Sequence, residues 1–329
     1  MRIPPNYTLT PIHISLLSSI EALRLYFQSL EVKQPVLNKI LTLNTLRSAV
    51  YSARIEGNSL LPEEVDENNS KDEQKEVKNV IMAYQYINRT INSSQQVTPQ
   101  LIQQVHGVVM FGTTERTNSF RSHMEGIFSA SGDLVYMPPA PTEVNGLVNQ
   151  LIQYINTSSE LFVLIKAFVS HLIFEKIHPF TDGNGRVGRL LVHALLEANG
   201  YSFGMPITFE EYIDTHKSNY YHVLDKGLSH VEEYLEFMLK AFLWATQVTK
   251  EKIQEEMQKK TVIILPPRQE ELYLIIKDHR QVDFDFLHRR FMRIPERTLR
   301  YDLLILANRK LIIKVGKTRG SLYRINENS

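Results

Sequence analysis

The chain has 329 residues, of which 43% are hydrophobic and 22% charged, and its formal net charge at pH 7 is +1. This length exceeds what one hydrophobic core usually organises, so two or three packed units are expected, and the charge gives no whole-chain preference for nucleic acid or membrane. The absence of cysteine excludes disulfides, thiolate nucleophiles and cysteine-ligated metal sites, so any catalytic chemistry rests on histidine, carboxylates, hydroxyls or basic groups.

The N-terminal segment does not resemble a targeting sequence. Prolines interrupt MRIPPNYTLTP where a secretory signal needs its apolar stretch. No segment reaches the roughly 18 uninterrupted apolar residues of a membrane span. We therefore expect a soluble cytoplasmic protein with no membrane partner.

Helical periodicity dominates the first half of the chain. Apolar residues recur at intervals of three and four over 16–30, 37–57 and 75–91, which predicts amphipathic helices. Thr98 as N-cap and Pro99 at the first helical position predict a further helix to 110, on which His106 is interpreted as a structural residue.

The segment 126–141 departs from helical periodicity. Two short β-prone runs flank Ser131-Gly132-Asp133, and Pro138-Pro139 follows the second run. This pattern is typical of a β-hairpin, so one hairpin is expected among the helices.

The rest of the chain predicts more helices and then a change of composition. Helical patterns run from Glu143 to about Gln247, and one of them ends on the C-cap pair Asn199-Gly200. A charged helical connector follows, and the last 68 residues carry a net charge of +6, which indicates a separate small domain. The predicted parts are an N-terminal helical region (1–90), a catalytic core (91–247), a connector (248–261) and a C-terminal domain (262–329).

Residues 178–189, HPFTDGNGRVGR, hold the chemistry-bearing groups. Pro179 disfavours helical geometry at His178, so the preceding helix should end there and present the imidazole from a loop. The run 182–185 leads directly into a helix, so its backbone amides and the helix N-terminus form an anion site. Arg186 and Arg189 are three residues apart on one helix face and suit the separate phosphoryl groups of a polyphosphate.

Asp182 is the one acid in this run that is available to hold Mg²⁺. A general base, a metal carboxylate, an amide nest and two arginines are the parts needed to move a phosphate-bearing group onto a hydroxyl. The sequence therefore predicts a transfer enzyme.

The run matches without a gap the HPFx(D/E)GNGRxxR signature of Fic-domain proteins, and the resemblance extends over most of the first 245 residues. The resemblance implies an α-helical fold and protein adenylyltransferase activity, in which AMP passes from ATP with Mg²⁺ to Ser, Thr or Tyr hydroxyls of target proteins or of the chain itself. By the same resemblance His178 is the catalytic base, Asp182 holds the metal and Phe180 is a buried anchor. The ATP and phosphate contacts it implies are Gly183, Asn184, Gly185, Arg186, Val187, Gly188 and Arg189.

Other segments are similar to further parts of Fic-domain proteins. The hairpin at 132–139 resembles the flap that binds an extended target segment, with Leu134, Val135 and Tyr136 beside the nucleotide or target. Tyr220 and Tyr221 are similar to a pair that borders the adenine in many members, although ordinary packing explains two adjacent aromatics equally well. Before the flap, Asn118-Ser119-Phe120-Arg121 departs from the usual Gly-x-Tyr/Phe-Arg pattern, which lowers the weight given to Arg121.

SARIEG, residues 52–57, resembles the inhibitory (S/T)xxxE(G/N) helix of the family. Glu56 lies at a helix end with Gly57 as the cap, and Ser52 precedes it by one turn. The resemblance implies that Glu56 pairs with Arg189 and competes with the γ-phosphate. In some members this glutamate also positions water for removal of AMP, and the sequence leaves that activity open.

The C-terminal domain resembles a winged helix, with two helices at 284–292 and 296–310 and strands around Gly316–Gly320. An alternative function follows from it, namely a DNA-binding regulator with a sensory or inactive Fic domain. The phosphate contacts in that case would be Arg297, Arg300, Lys314, Lys317 and Arg319.

The group that the enzyme transfers is also open, because relatives within the resemblance transfer UMP or phosphocholine, or phosphorylate. The target and the oligomeric state, including a homodimer, stay open as well. The fold class predicted is mainly α: a Fic-type helical bundle with a β-hairpin flap and a C-terminal winged-helix domain.

Overall fold

The computed structural model describes residues 1–66, 71–91, 96–112, 118–128, 134–157, 160–201, 203–258, 265–316 and 321–326. The chain divides into two compact units, Met1–Gln258 and Lys259–Ser329. Within the described ranges, no helix has the length and apolar character needed to cross a lipid bilayer.

The first unit is built from helices, in agreement with the mainly α prediction. Short 3-10 turns at Pro62–Glu64 and Gly227–Ser229 lie among them. The α-helices are α1 (Pro11–Ser29), α2 (Gln34–Ile55), α3 (Asp72–Thr90), α4 (Pro99–Val109), α5 (Pro141–Thr157), α6 (Val163–Ile177), α7 (Asn184–Ala198), α8 (Phe209–Thr215), α9 (Lys217–Lys226) and α10 (Val231–Gln258).

Helix α6 lies at the centre of this unit. Every residue of α6 except Val163 is buried. A helix with apolar residues on all its faces is expected in the interior of a bundle, and α6, which also buries several polar side chains, packs against α5, α7 and α10 there. The residues that immediately follow α6 therefore start from a fixed position.

Two predicted helix boundaries, the start of α4 and the end of α7, are confirmed. The side chain of Thr98 accepts a hydrogen bond from the backbone N–H of Leu101 at 3.1 Å, so it caps α4 as predicted. Helix α7 ends at Ala198, and Gly200 has a φ of 63°, the left-handed conformation expected of a C-terminal glycine. Residues 248–258, predicted as a connector, form the last turns of α10, where Ile253 is fully buried.

One hairpin stands among the helices. Strand β1 (Ile127–Phe128) pairs antiparallel with β2 (Leu134–Tyr136), with Ile127 opposite Tyr136. The predicted turn at 131–133 lies outside the described residues, while the two flanking runs are strands as predicted.

The second unit has its own core, formed by residues such as Leu272, Leu287 and Leu303. Its strands form an antiparallel sheet in the order β3-β5-β4. The helix-turn-helix and the following hairpin match the predicted pattern and are consistent with a winged helix; β3 was not predicted. The elements are α11 (Pro267–Asp278), β3 (Gln281–Asp283), α12 (Phe284–Arg290), α13 (Glu296–Asn308), β4 (Ile312–Val315) and β5 (Leu322–Ile325).

Candidate active site

His178 is presented from the loop between α6 and α7. Helix α6 ends at Ile177, and His178 adopts a left-handed conformation with φ 49° and ψ 62°. Its backbone N–H still donates to the carbonyl of Phe174 at 2.9 Å. Because Pro179 disfavours helical geometry in the residue before it, the helix stops where the sequence predicted.

Aromatic stacking and an asparagine hold this loop. Phe180 is fully buried and stacks on His106, with ring centroids 3.7 Å apart. The side chain of Asn184 accepts from the N–H of Phe180 at 2.9 Å and donates to its carbonyl at 2.7 Å. His106 Nε2 also bonds to the carbonyl of Asp182 at 3.1 Å, so His106 is a structural residue that supports the loop.

The imidazole of His178 lines a cavity and is held in its neutral form. Burial lowers its pKa to about 4, and the carboxylates of Glu56 and Asp182 only partly oppose this effect. A neutral imidazole accepts a proton at neutral pH. His178 therefore has the protonation state that a general base requires.

The first turn of α7 borders this cavity at Gly185. Gly183 is its N-cap with φ 79°, a conformation that favours glycine, and no described side chain caps the helix. The first-turn amides of Asn184, Gly185 and Arg186 have no acceptor within the helix. These amides and the helix dipole suit an anionic group.

Arg189 lies one turn further along α7 and contacts the end of α2. It is only 1% exposed. Its Nε donates to Ser52 Oγ at 3.0 Å, and its Nη2 donates to the Ser52 carbonyl and to Glu56 Oε1, both at 2.8 Å. The ion pair expected between Glu56 and Arg189 is thus present in the structure.

The surroundings of this ion pair explain its geometry. Glu56 is the C-cap of α2, and Gly57 follows it with φ 106°. Burial is the largest single effect and disfavours the charge of Arg189, but Glu56 together with Tyr220 and Glu175 outweighs it, so the pKa of Arg189 is raised. Nη1 of Arg189 is buried without a hydrogen-bond partner among the described residues, so the guanidinium can accept a further anionic ligand.

A cavity of about 520 Å³ connects His178, Gly185 and the ion pair of Glu56 with Arg189. Its volume lies in the range usual for ligand pockets. The lining residues are Glu56, Ile127, Val135, Tyr136, Glu175, Lys176, His178, Gly185, Arg189, Tyr220, Tyr221, Leu224 and Asp225.

The flap and the tyrosine pair border this cavity only in part. Val135 and Tyr136 line it, whereas Leu134 is exposed and does not. Tyr220 is buried, and Tyr221 is exposed and donates its hydroxyl to the carbonyl of Ile55 at 3.0 Å. The two tyrosines therefore pack and line the cavity at once, and an adenine contact stays a prediction.

Three residues of the predicted phosphate site occupy other environments. Arg186 bonds both carboxylate oxygens of Asp182 at 3.2 Å and lies 3.8 Å from Glu76. Val187 lies in the hydrophobic core, and its N–H donates to the Gly183 carbonyl at 3.0 Å. A Cβ atom at Gly188 would overlap Oε1 of Glu175, so this glycine allows close packing of α6 on α7. None of these three residues lines the cavity, and neither do Asp182, Gly183 and Asn184, so Gly185 and Arg189 are the members of the predicted phosphate site that do.

Arg121, given little weight from the sequence, connects the flap to the loop. Its Nε donates to the His178 carbonyl at 2.8 Å and its Nη2 to the Pro139 carbonyl at 2.5 Å. Its backbone N–H donates to the Pro179 carbonyl at 2.9 Å. Arg121 has little weight as a site residue in the sequence because the motif around it departs from the usual pattern. Its role in connecting the flap to the loop follows only from the three-dimensional contacts.

Glu175 is a further cavity residue that sequence reasoning did not assign to the site. It lies on α6 one turn before His178, and its Oε1 is buried without a hydrogen-bond partner among the described residues. Burial, reinforced by the nearby charge of Glu56, raises its pKa to about 8. A neutral carboxyl group therefore lines the cavity at pH 7.

The candidate DNA contacts lie in the second unit. Arg297, Arg300 and Lys314 are exposed, but Arg300 covers the ring of Phe284 at 3.7 Å and lies 3.3 Å from Glu296. Lys317 and Arg319 fall outside the described residues. DNA binding through this unit stays a prediction.

Comparison with known proteins identifies the domain that holds the loop. Residues 96–196 match the model of the Fic/DOC family. A probable protein adenylyltransferase of Aquifex aeolicus is 42% identical over 65 residues, which are 20% of each chain. A protein adenylyltransferase Fic of Drosophila willistoni is 25% identical over 264 residues, covering 74% of this chain and 51% of the relative. The chain thus spans about half the length of that relative, and less of others.

Solved structures share the fold. A Fic family protein from Desulfovibrio desulfuricans G20 superposes with a TM-score of 0.69 at 22% identity and covers 99% of both chains. A Fic domain containing signaling protein from Bacteroides thetaiotaomicron has a TM-score of 0.60 at 18% identity, over 74% of this chain and 97% of the other. At these identities the likeness establishes the fold.

Proposed function

Because residues 96–196 of this chain form a Fic domain, we propose that the protein transfers AMP from ATP to hydroxyl side chains of target proteins and that Glu56 restrains this reaction. One observation carries the proposal. The neutral imidazole of His178 lines the same cavity as Gly185 at the α7 N-terminus and as Arg189, whose guanidinium is held by Glu56.

The residues supply a base on one side and anion contacts on the other. His178 takes the proton from the target hydroxyl, whose oxygen then bonds to the α-phosphorus of ATP. The bond from that phosphorus to the bridging oxygen breaks, and pyrophosphate leaves. The first-turn amides of α7 stabilise the charge on the phosphates, and Arg189 orients the terminal phosphate so that AMP is the group transferred.

The site also fits magnesium. Asp182 presents a carboxylate that is about half exposed beside the α7 N-terminus. Magnesium in nucleotide sites usually takes one or two carboxylates and completes its coordination with phosphate oxygens and water. When bound, the ion would neutralise phosphate charge, while Arg186, hydrogen-bonded to Asp182, keeps the carboxylate in place.

Protein targets fit the hairpin beside the cavity. The side chains of Leu134 and Val135 on β2 are exposed, and β2 pairs with β1 alone in its two-stranded sheet among the described residues. An extended segment of a target, or of the chain itself, can add to such an edge through backbone hydrogen bonds. Its hydroxyl would then be held near His178.

Glu56 restrains the reaction by occupying Arg189. The pair at 2.8 Å uses Nη2 of the guanidinium, and Glu56 Oε1 lies so close to Gly185 that a Cβ atom there would overlap it. A carboxylate at this position competes with a phosphate for the same cation and repels it from the adjacent amides. Removal of AMP with the help of Glu56 remains compatible with this arrangement and is a separate question for assay.

The test is an AMP-transfer assay with radiolabelled ATP on the purified chain, read as automodification and as labelling of lysate proteins. His178→Ala should lower transfer by at least about 100-fold, because proton transfer by a positioned base contributes about that much. Glu56→Gly should raise it, because Arg189 becomes free. Matched controls are His222→Ala on α9 and Glu63→Gly, both exposed residues away from the cavity, which should leave transfer unchanged.

Mass spectrometry of the modified protein identifies the group transferred. Parallel incubations with ATP, UTP and CDP-choline should give an adduct with ATP alone, with the mass of AMP. An adduct of UMP, of phosphocholine or of a single phosphate would contradict the proposed substrate, and equal labelling by wild type and Glu56→Gly would remove the role of Glu56.

A further inference from the structure

A second polar contact between α2 and α7 lies away from the cavity, at Glu210. Glu210 is in the first turn of α8 and is 0% exposed. It accepts hydrogen bonds from Ser48 Oγ at 3.0 Å and Tyr84 Oη at 2.9 Å, and it bonds to His193 Nε2 at 2.9 Å. This set of four side chains, here called the Glu210 node, joins α2, α3, α7 and α8.

The Glu210 node lies one helical turn from the restraining contact on both helices that form it. Ser48 precedes Ser52 by four residues on α2, and His193 follows Arg189 by four residues on α7. Residues four apart lie on the same helix face. The same faces of α2 and α7 are therefore joined twice, once directly at Arg189 and once through Glu210 at the node.

Glu210 is fully buried whereas Glu56 is partly exposed, and this difference in burial gives the node a positioning role. A buried carboxyl group that loses a partner keeps the full cost of desolvation, so its three bonds enforce one arrangement of the helices. Two ion pairs also join α2 to α8. Arg47 pairs with Glu211, and Arg54 pairs with Asp214 at 3.0 Å. Helix α2 is thus held against α8 along its C-terminal half.

We propose that Glu210 is a positioning residue for the restrained site: through Ser48 it fixes the C-terminal turns of α2 so that Ser52 and Glu56 meet Arg189. This inference rests on the proposed function of Glu56 and extends it to a group outside the cavity. A partner or ligand that disturbs the node would then weaken the restraint without touching the nucleotide site.

The test compares two single hydroxyl deletions at the same carboxyl group. Ser48→Ala removes the bond from α2 to Glu210. Tyr84→Phe removes the bond from α3, which bears no residue of the contact with Arg189; the Tyr84 hydroxyl also interacts with Ser48, but its loss leaves the bond from Ser48 to Glu210 in place. Loss of one buried hydrogen bond changes an equilibrium by about fivefold. Ser48→Ala should therefore raise AMP transfer and ATP affinity about fivefold, whereas Tyr84→Phe should lower the melting temperature without raising either.

A double variant separates positioning from general loosening. In the Glu56→Gly background, Ser48→Ala should give no further increase, because the restraint is already gone. An equal increase in both backgrounds, or an increase from Tyr84→Phe as large as from Ser48→Ala, would overturn the proposal. A Ser48→Ala variant with wild-type transfer would overturn it as well.

Hydrogen exchange gives a readout that does not depend on the enzymatic activity. Amides at 50–55 should exchange about fivefold faster in Ser48→Ala and in the milder charge variant Glu210→Gln than in wild type, with Tyr84→Phe unchanged there. If no variant transfers AMP, the proposed function fails, while these exchange rates still decide whether the node positions α2. Unchanged exchange in Ser48→Ala would refute the positioning role on its own.

Discussion

The two contacts between α2 and α7 differ in what they leave accessible. At one, Glu56 is 35% exposed in its side chain and lines a large cavity beside Arg189. At the other, Glu210 has no exposure, and Ser48, Tyr84 and His193 satisfy it. Arg189 itself is buried, but solvent reaches the Glu56 end of the ion pair and weakens it, whereas a group that is buried with all its partners is costly to break. The restraint proposed at Glu56 could therefore be released at this accessible contact while the Glu210 node keeps α2 folded in place.

The largest effect is expected from removal of the buried carboxyl group of Glu210. Glu210→Ala should lower the free energy of unfolding by about 3 kcal/mol, because three buried partners lose their acceptor. Urea unfolding followed by circular dichroism measures it. The control is the adjacent Glu211→Ala, whose partner Arg47 is partly exposed and whose loss should cost less than about 1 kcal/mol. Similar losses for the two variants would mean that the node is no more than another surface contact.

Acid should destabilise the core around α6 and its following loop through three buried imidazoles, which lie on α4, on α6 and in that loop. Burial lowers the pKa of His106 and His178 to about 4 and that of His171 to about 3, from an ordinary value of 6.5. The unfolded chain binds these protons near pH 6.5 and the folded chain only near pH 4 or below, so the free energy of unfolding falls as the pH falls through this window.

Each such imidazole should cost about 1 to 2 kcal/mol between pH 7 and pH 5. Urea titrations at the two pH values measure the total. In His178→Gln the loss of unfolding free energy between pH 7 and pH 5 should be smaller by the contribution of one imidazole. The exposed His222→Gln is the control. A His178→Gln variant with the full wild-type pH dependence would show that His178 is not held neutral by burial.

The smallest effect is expected where α9 contacts the end of α2. Lys217 Nζ donates to the carbonyl of Arg54 at 3.1 Å, beside Glu56 but on the partly exposed side. Lys217→Met should change AMP transfer by less than about threefold, since bonds of this exposure contribute little. A change as large as that of Glu56→Gly would mean that α9, rather than the pair with Arg189, holds the end of α2.

Local signals in the sequence were enough to predict the loop and its helix. Pro179 ends α6, Gly183 takes the left-handed N-cap of α7, and Thr98 caps α4, each through contacts within a few residues. The mainly α fold and the hairpin strands follow from periodicity in the same way. The pairing of Glu56 with Arg189 came from resemblance to a family motif, since no local rule links residues so far apart.

Contacts between distant residues could not be predicted. Ser48 and Glu210 are 162 residues apart in the chain, and neither belongs to a recognisable motif. Arg186 was expected at a phosphate, but its position beside Asp182 and Glu76 depends on how α3 packs on α7. Strand β3 is only three residues long and is defined by its pairing with β5, which no pattern within the strand encodes.

The absence of a Cβ atom at Gly185 has an evolutionary consequence. A Cβ atom there would overlap Glu56 Oε1 and approach Arg189 Nη1 to 3.1 Å, while the amide of the same residue belongs to the proposed phosphate site. Any larger residue at 185 would displace the Glu56 carboxylate and, under the proposed function, obstruct the nucleotide in the same step. Descendants of this chain that lose the proposed restraint while keeping the proposed activity are therefore expected to change α2, and Gly185 should persist with or without the restraint.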